Sequence, residues 1–242
     1  MILANVRQQL TRDDAQLLLR LASRGSADAY ARAEETLRDR GIDALLDDPQ
    51  VLSGLLTSRQ ASHASPQLMS YVVVRHALIG IGEQDRVLAD YVARIMMDFG
   101  IRDRAHRVAP MDDERYDTLA ALARDLESDD HRRSFLVRAH LGNYALWLSG
   151  LFPDHIEYRR HRRGGPDLEY YEEMGRRGYT LAAEHRLANE HGLTGLFRKV
   201  SDGFSRLRVA LNRVSDELLF PNRSSPDRLI RQVRDEFRWK LA

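Results

Sequence analysis

The chain has no cysteine. That removes disulfides, thiolate metal sites and thiol nucleophiles together, and it suits a reducing compartment. Lysine is almost missing too: Lys199 and Lys240 are the only two, and every other member of the 37 basic residues is arginine. The codon usage of a GC-rich bacterial genome explains this, and so would anion recognition by the guanidinium fork. Carboxylates at helical spacing from so many of these arginines favour the first explanation. Neither sign of charge dominates, with 37 basic against 36 acidic residues. This disfavours a dedicated nucleic-acid binder, whose affinity needs a net positive surface. The opening residues MILANVRQQLTRDD do not carry the basic-then-apolar pattern of a signal peptide, so a cytoplasmic protein is expected. No P-loop, dinucleotide fingerprint, helix-turn-helix or Ser-His-Asp order stands out.

Helical signals run from end to end, and strand signals are nearly absent. The densest apolar stretch is Arg133 to Phe152, RSFLVRAHLGNYALWLSGLF. Its apolar residues cover most of a helical circumference, as in a buried helix. Arg138, His140 and Asn143 interrupt it and argue against a membrane span; in a core, Arg138 needs a carboxylate or carbonyl partner. The expected fold is all-α, a bundle of about ten helices around a central helix at about 133–152.

Thr11 with Asp14 reads as a capping box, Ser26 as an N-cap, Gly41 as a stop, and Pro49 and Pro66 as helix starts. The polar loop at 58–66 separates a small helical subdomain at 1–58 from a main bundle at 66–242, unless the two form one continuous domain. Further helices are expected at 67–81, 85–99, 112–127 and 167–191, then along the stripes Phe204–Leu218 and Leu229–Leu241. The helix at 167–191 contains Gly175 and Gly178, which mark a close helix crossing or a bend.

Four groups of residues can carry function. The first is polar residues embedded in apolar helices: Arg75 and His76, Arg138, His140 and Asn143, with Asp90 and Asp98 on the helix between. They make internal ion pairs and satisfied core donors, or a polar ligand pocket. A metal site has little support. Neither Glu-x-x-His nor His-x-x-x-His occurs, although a haem would need only one histidine, such as His76, His140 or His185. The second group is the basic run Arg159, Arg160, His161, Arg162 and Arg163 before Gly164-Gly165-Pro166, read as a solvated loop or an anion site. The third is the last helix, where Arg228, Arg231, Arg234, Arg238 and Lys240 surround an apolar stripe of Leu229, Ile230, Val233, Phe237 and Leu241. It is expected to dock on the body of the protein or on a partner.

The fourth is Arg186-Leu187-Ala188-Asn189-Glu190-His191, which resembles the Arg-x-x-x-x-His motif of HEPN-domain ribonucleases. The resemblance implies an all-helical, usually dimeric protein in which Arg186 and His191 face each other across the dimer cleft and act on RNA. There the imidazole would move a proton and the guanidinium would neutralise phosphate charge. With the following Gly192 it covers seven residues, and Leu187 stands where that family usually has a polar side chain.

The leading expectation is an interaction protein: an adaptor, regulator or subunit binding another chain or a second copy of itself. The alternatives are a bundle enzyme that uses a buried Arg/His/Asp pocket for a ligand, haem or metal, and a HEPN-like ribonuclease. No cofactor is identified.

Overall fold

Local capping chemistry sets most of the helix starts. Thr11 accepts from the backbone N–H of Asp14, and the Asp14 carboxylate accepts from that of Thr11, opening α1 (Arg12–Ser23). Asp14 also accepts from the N–H of Ser65, joining two segments far apart in the chain. Ser26 caps α2 (Ala27–Arg40), and Gly41 ends it at φ +76°, a conformation costly for other residues. α3 (Ile42–Leu46) follows directly, and Asp48 and Pro49 open α4 (Pro49–Thr57). Ser65 and Pro66 open α5 (Pro66–Ile79), and α6 spans Arg86–Gly100.

The computed structural model describes residues 2–101, 103–127 and 130–241, with the side chains of Glu127 and 237–241 outside that description. The described residues form an all-α protein with no strand. The chain divides into two compact units, residues 2–100 and 101–242. The 58–66 segment lies within the first and contains a 3-10 turn at Arg59–His63.

In the second unit, α7 (Leu119–Arg124) precedes the central helix α8 (His131–Leu151). α9 (Pro153–Arg163), α10 (Leu168–Ala183), α11 (Arg186–Glu190), α12 (Thr194–Asp202), α13 (Phe204–Val214) and α14 (Pro226–Leu241) follow. As the apolar circumference requires, most of α8 is buried from Ser134 to Leu151. α10 and α13 pack against it. At the α8–α10 crossing, a Cβ on Gly178 would stand 2.7 Å from the backbone N of Gly142 and 2.9 Å from the carbonyl O of Arg138. Gly178 thus marks a close crossing rather than a bend, and Gly175 similarly abuts the Phe204 ring.

The C-terminal end of α8 is satisfied from α13 and the residue that follows it. Asn212 Nδ2 donates to the carbonyls of Ser149 and Gly150, both at 2.7 Å, and Ser215 Oγ to that of Leu151 at 2.8 Å. These are carbonyls a helix cannot satisfy itself.

Three expected boundaries are corrected. The helix expected at 112–127 begins only at Leu119, because Thr118 is extended and its hydroxyl accepts from the N–H of Ala121. The helix expected at 167–191 breaks at His185, which is extended and whose Nδ1 accepts from the N–H of Leu187, restarting the chain as α11. The basic run at 159–163 is no loop. It forms the last turns of α9, closed by Gly164 at φ +61°.

Candidate functional site

The embedded polar residues find partners within their own units. In the first unit Arg75, 1% exposed, donates to both oxygens of Asp47 at 2.7 and 3.1 Å and to Gln84 Oε1 at 3.2 Å. Burial alone would push Asp47 up, but the hydrogen bonds and charges of Arg75 and Arg86 hold its carboxyl below the usual range. His76 Nε2 lies 3.0 Å from the Leu46 carbonyl. Asp90 accepts from the backbone N–H and Nε of Arg7 at 2.8 and 3.0 Å, and Asp98 pairs with Arg94 at 2.8 Å. Arg75 therefore bonds Asp47 rather than the two aspartates on α6.

In the second unit His140 Nε2 sits 2.9 Å from the Ala105 carbonyl. Burial, reinforced by the Arg104 charge, pushes its pKa down to about 3, so it is neutral. Asn143 Oδ1 accepts from the Tyr179 hydroxyl at 2.7 Å. Among the described residues, Arg138 reaches the Leu181 carbonyl, at 3.5 Å. Among the described residues, no three histidine or carboxylate side chains converge as a metal site requires, and no helix is long and apolar enough to cross a membrane.

Arg186 and His191 lie at opposite ends of α11. The Arg186 guanidinium bonds Glu190 at 2.6 Å, and its side chain is largely exposed. His191 is the exposed C-cap residue.

The most distinctive surface is α14, because it is docked inside out. Of its described side chains, those buried are Arg228, Arg231 and Asp235, at 5, 2 and 6% exposure. The aliphatic residues expected to face inward are open to solvent: Leu229 at 60%, Ile230 at 66% and Val233 at 53%. The expected stripe continues through Phe237 and Leu241, and the basic flank through Arg238 and Lys240; these four side chains lie outside the described residues.

Carboxylates on other helices hold the inward face. Asp154, in the first turn of α9, accepts from Arg228 at 2.6 and 3.1 Å. Asp216, beyond α13, accepts from Arg231 Nη2 at 2.9 and 3.1 Å and from Gln232 at 2.9 Å. Arg234 donates to Glu169 at 2.8 Å. The carbonyls of Phe220 and Arg223 take the remaining Arg228 nitrogen at 2.9 and 2.7 Å.

At the centre lies Arg208 on α13, which the sequence did not single out. Its Nε donates to Glu172 Oε1 on α10, Nη1 to Asn212 Oδ1 at 2.6 Å, and the Nη1/Nη2 pair to both oxygens of Asp235. Burial opposes its charge, yet Asp235 and Glu172 raise its pKa. One signal was available: Arg208 and Asn212 are four apart beside Leu207 and Leu211, so a buried apolar stripe is edged by two residues able to bond each other.

Beside the start of α14, a groove of about 800 Å³ runs between α9 and the segment 222–227. Of the basic run, His161 and Arg162 line it. His161 Nε2 lies 3.3 Å from Asp227 and 3.9 Å from Glu157, and Arg160 pairs with Glu157 at 3.5 Å.

Compared with known proteins, the chain is matched by no family model, no curated protein and no solved structure.

Proposed function

We propose that the chain works by binding another protein chain, and that the outward face of α14 is the surface it offers. The observation that carries this reading is the inversion of α14: charged residues buried, Leu229, Ile230 and Val233 exposed. Burying three such side chains against a partner is worth roughly 1.5–3 kcal/mol each, an advantage the folded chain leaves unused. The spacing i, i+1, i+4 suits insertion of a helix face into an apolar groove.

The buried ion pairs support the same reading. Buried pairs contribute little net stability compared with apolar packing, but they specify geometry. Here they set the rotation of α14 about its own axis and thereby its outward face. An adaptor or assembly subunit needs this: a rigid helix presenting an apolar strip.

The test is a double substitution, Leu229→Asp with Ile230→Asp. The purified chain and the variant are compared by sedimentation across a concentration series and by affinity capture followed by mass spectrometry. Loss of a self-associated species, or of one defined captured chain, in the variant alone supports the proposal. Identical sedimentation and capture for both proteins overturn it.

A further inference from the structure

We propose that the groove between α9 and residues 222–227 binds a small phosphate monoester, with Arg162 and Arg223 as its charged ligands. The proposal is independent of the α14 face and concerns the other side chains near the start of that helix.

The groove is lined on one side by His155, Tyr158, His161 and Arg162, and on the other by Asn222, Arg223 and Ser224. Its three carboxylates are already engaged. Asp154 holds Arg228 at 2.6 Å, Asp227 faces His161 at 3.3 Å, and Glu157 is buried beside Arg160 and His161. Arg162 and Arg223 differ. Among the described residues neither has a carboxylate partner, and the Arg223 guanidinium merely lies 5.2 Å from the centre of the Phe220 ring. Two guanidinium forks in one groove, next to amide and hydroxyl donors, match the multiple acceptor oxygens of a phosphate.

Two further arginines of the basic run act with the same sign. His155 on the groove wall has its pKa lowered first by burial and then by the charges of Arg159 and Arg163. The basic run therefore contributes in two ways: Arg162 as a direct ligand, and Arg159 and Arg163 as a surrounding positive potential. Tyr158, 59% exposed, adds an aromatic ring on which a planar group attached to the phosphate can stack. A volume of about 800 Å³ falls in the range that holds small ligands, roughly 300–1,000 Å³.

The experiment uses the full chain and two probes, inorganic phosphate and adenosine monophosphate, at ionic strength matched with potassium chloride. Binding is read by calorimetry and from the imidazole signals of His155 and His161. The expected result is saturable binding that shifts both signals. It weakens by about tenfold or more in Arg162→Ala/Arg223→Ala, the loss expected for charge-assisted hydrogen bonds, and is unchanged in Arg198→Ala, at an exposed site on α12. Tighter binding of the nucleotide, abolished by Tyr158→Ala, assigns the site to phosphates bearing a planar group; equal binding of the two probes assigns it to the phosphate alone. Shifts that do not saturate at millimolar probe, that chloride reproduces, or that persist in the double variant overturn the proposal.

Discussion

Arg208, 1% exposed on α13, donates to both carboxylate oxygens of Asp235 on α14, at 2.9 and 2.6 Å. The same guanidinium reaches Glu172 on α10, so one buried cation joins three helices through two carboxylates. Removing it leaves both anions in the interior without their central partner. Arg208→Leu is expected to lower the free energy of unfolding by about 3–5 kcal/mol, the cost of breaking a buried pair on one side. Urea denaturation checks the value. Asp235→Ala should cost less, since Arg208 keeps Glu172 and Asn212. Its signature is local: by hydrogen exchange, the amides of α14 open early while those of α8 stay protected.

The inversion of α14 predicts an unusual contrast between leucines. Leu229→Asp, at a site 60% exposed, should change stability by no more than about 0.5 kcal/mol, as surface substitutions do. Leu207→Ala on α13, at a site 2% exposed, should cost about 2–5 kcal/mol. Paired urea curves separate the two. If Leu229→Asp proved as costly as Leu207→Ala, α14 would have to bury its aliphatic face, and the proposed interaction surface would fail with it.

The crossing of α8 and α10 makes a sharper steric prediction. At Gly178 a methyl group would meet the backbone of Gly142 at 2.7 Å, and backbone cannot swing aside as a side chain can. Gly178→Ala should therefore destabilise by about 1–3 kcal/mol, the usual cost of overpacking, or more. Gly195→Ala in α12 meets nothing within 4 Å and should be neutral or stabilising by up to about 1 kcal/mol, from helix propensity alone. Melting temperatures of the two variants check the difference in sign.

Stability should also fall on mild acidification, before the carboxylates titrate. His140, with its pKa near 3, stays neutral when folded but takes up a proton near pH 6.5 when unfolded. His76 is shifted the same way, chiefly by burial. A depressed histidine favours the unfolded state as pH falls below 6.5, by up to about 1.4 kcal/mol per pH unit for each such group until its folded pKa is reached. Unfolding free energies measured between pH 7.5 and 5 should slope downward, and His140→Asn should flatten that slope. An equal slope in the variant would place the proton uptake elsewhere.

Much of the secondary structure was legible because its causes are local. The Thr11–Asp14 box, the Ser26 cap, the Pro49 and Pro66 starts and the Gly41 stop act within a few residues, and each is present. The helix at 131–151 was legible for another reason: a segment apolar on all sides has no favourable place except a core. Errors arose where a polar side chain competed with helical periodicity. Thr118 and His185 each took a backbone N–H for a cap, and periodicity alone does not register that choice. The partners of embedded charges were legible only as a requirement. Arg75 had to find a partner, and Asp90 and Asp98 on the next apolar helix were plausible from the sequence, but the packing supplies Asp47 instead.

The all-α character and the buried central helix were thus determined by the sequence alone, through capping and periodicity, whereas Gly175 and Gly178 allowed a close crossing or a bend until the packing chose the crossing. Which face of α14 turns inward was decided by the tertiary structure. Its aliphatic stripe and arginine flank are both strong, and taken in isolation hydrophobic burial favours the stripe. The outcome depends on Asp154, Asp216, Glu169 and the buried Arg208, which come from four other segments and together supply a complementary ionic socket. That complementarity exists only once those segments are assembled, so no property of residues 226–241 by themselves could have revealed it.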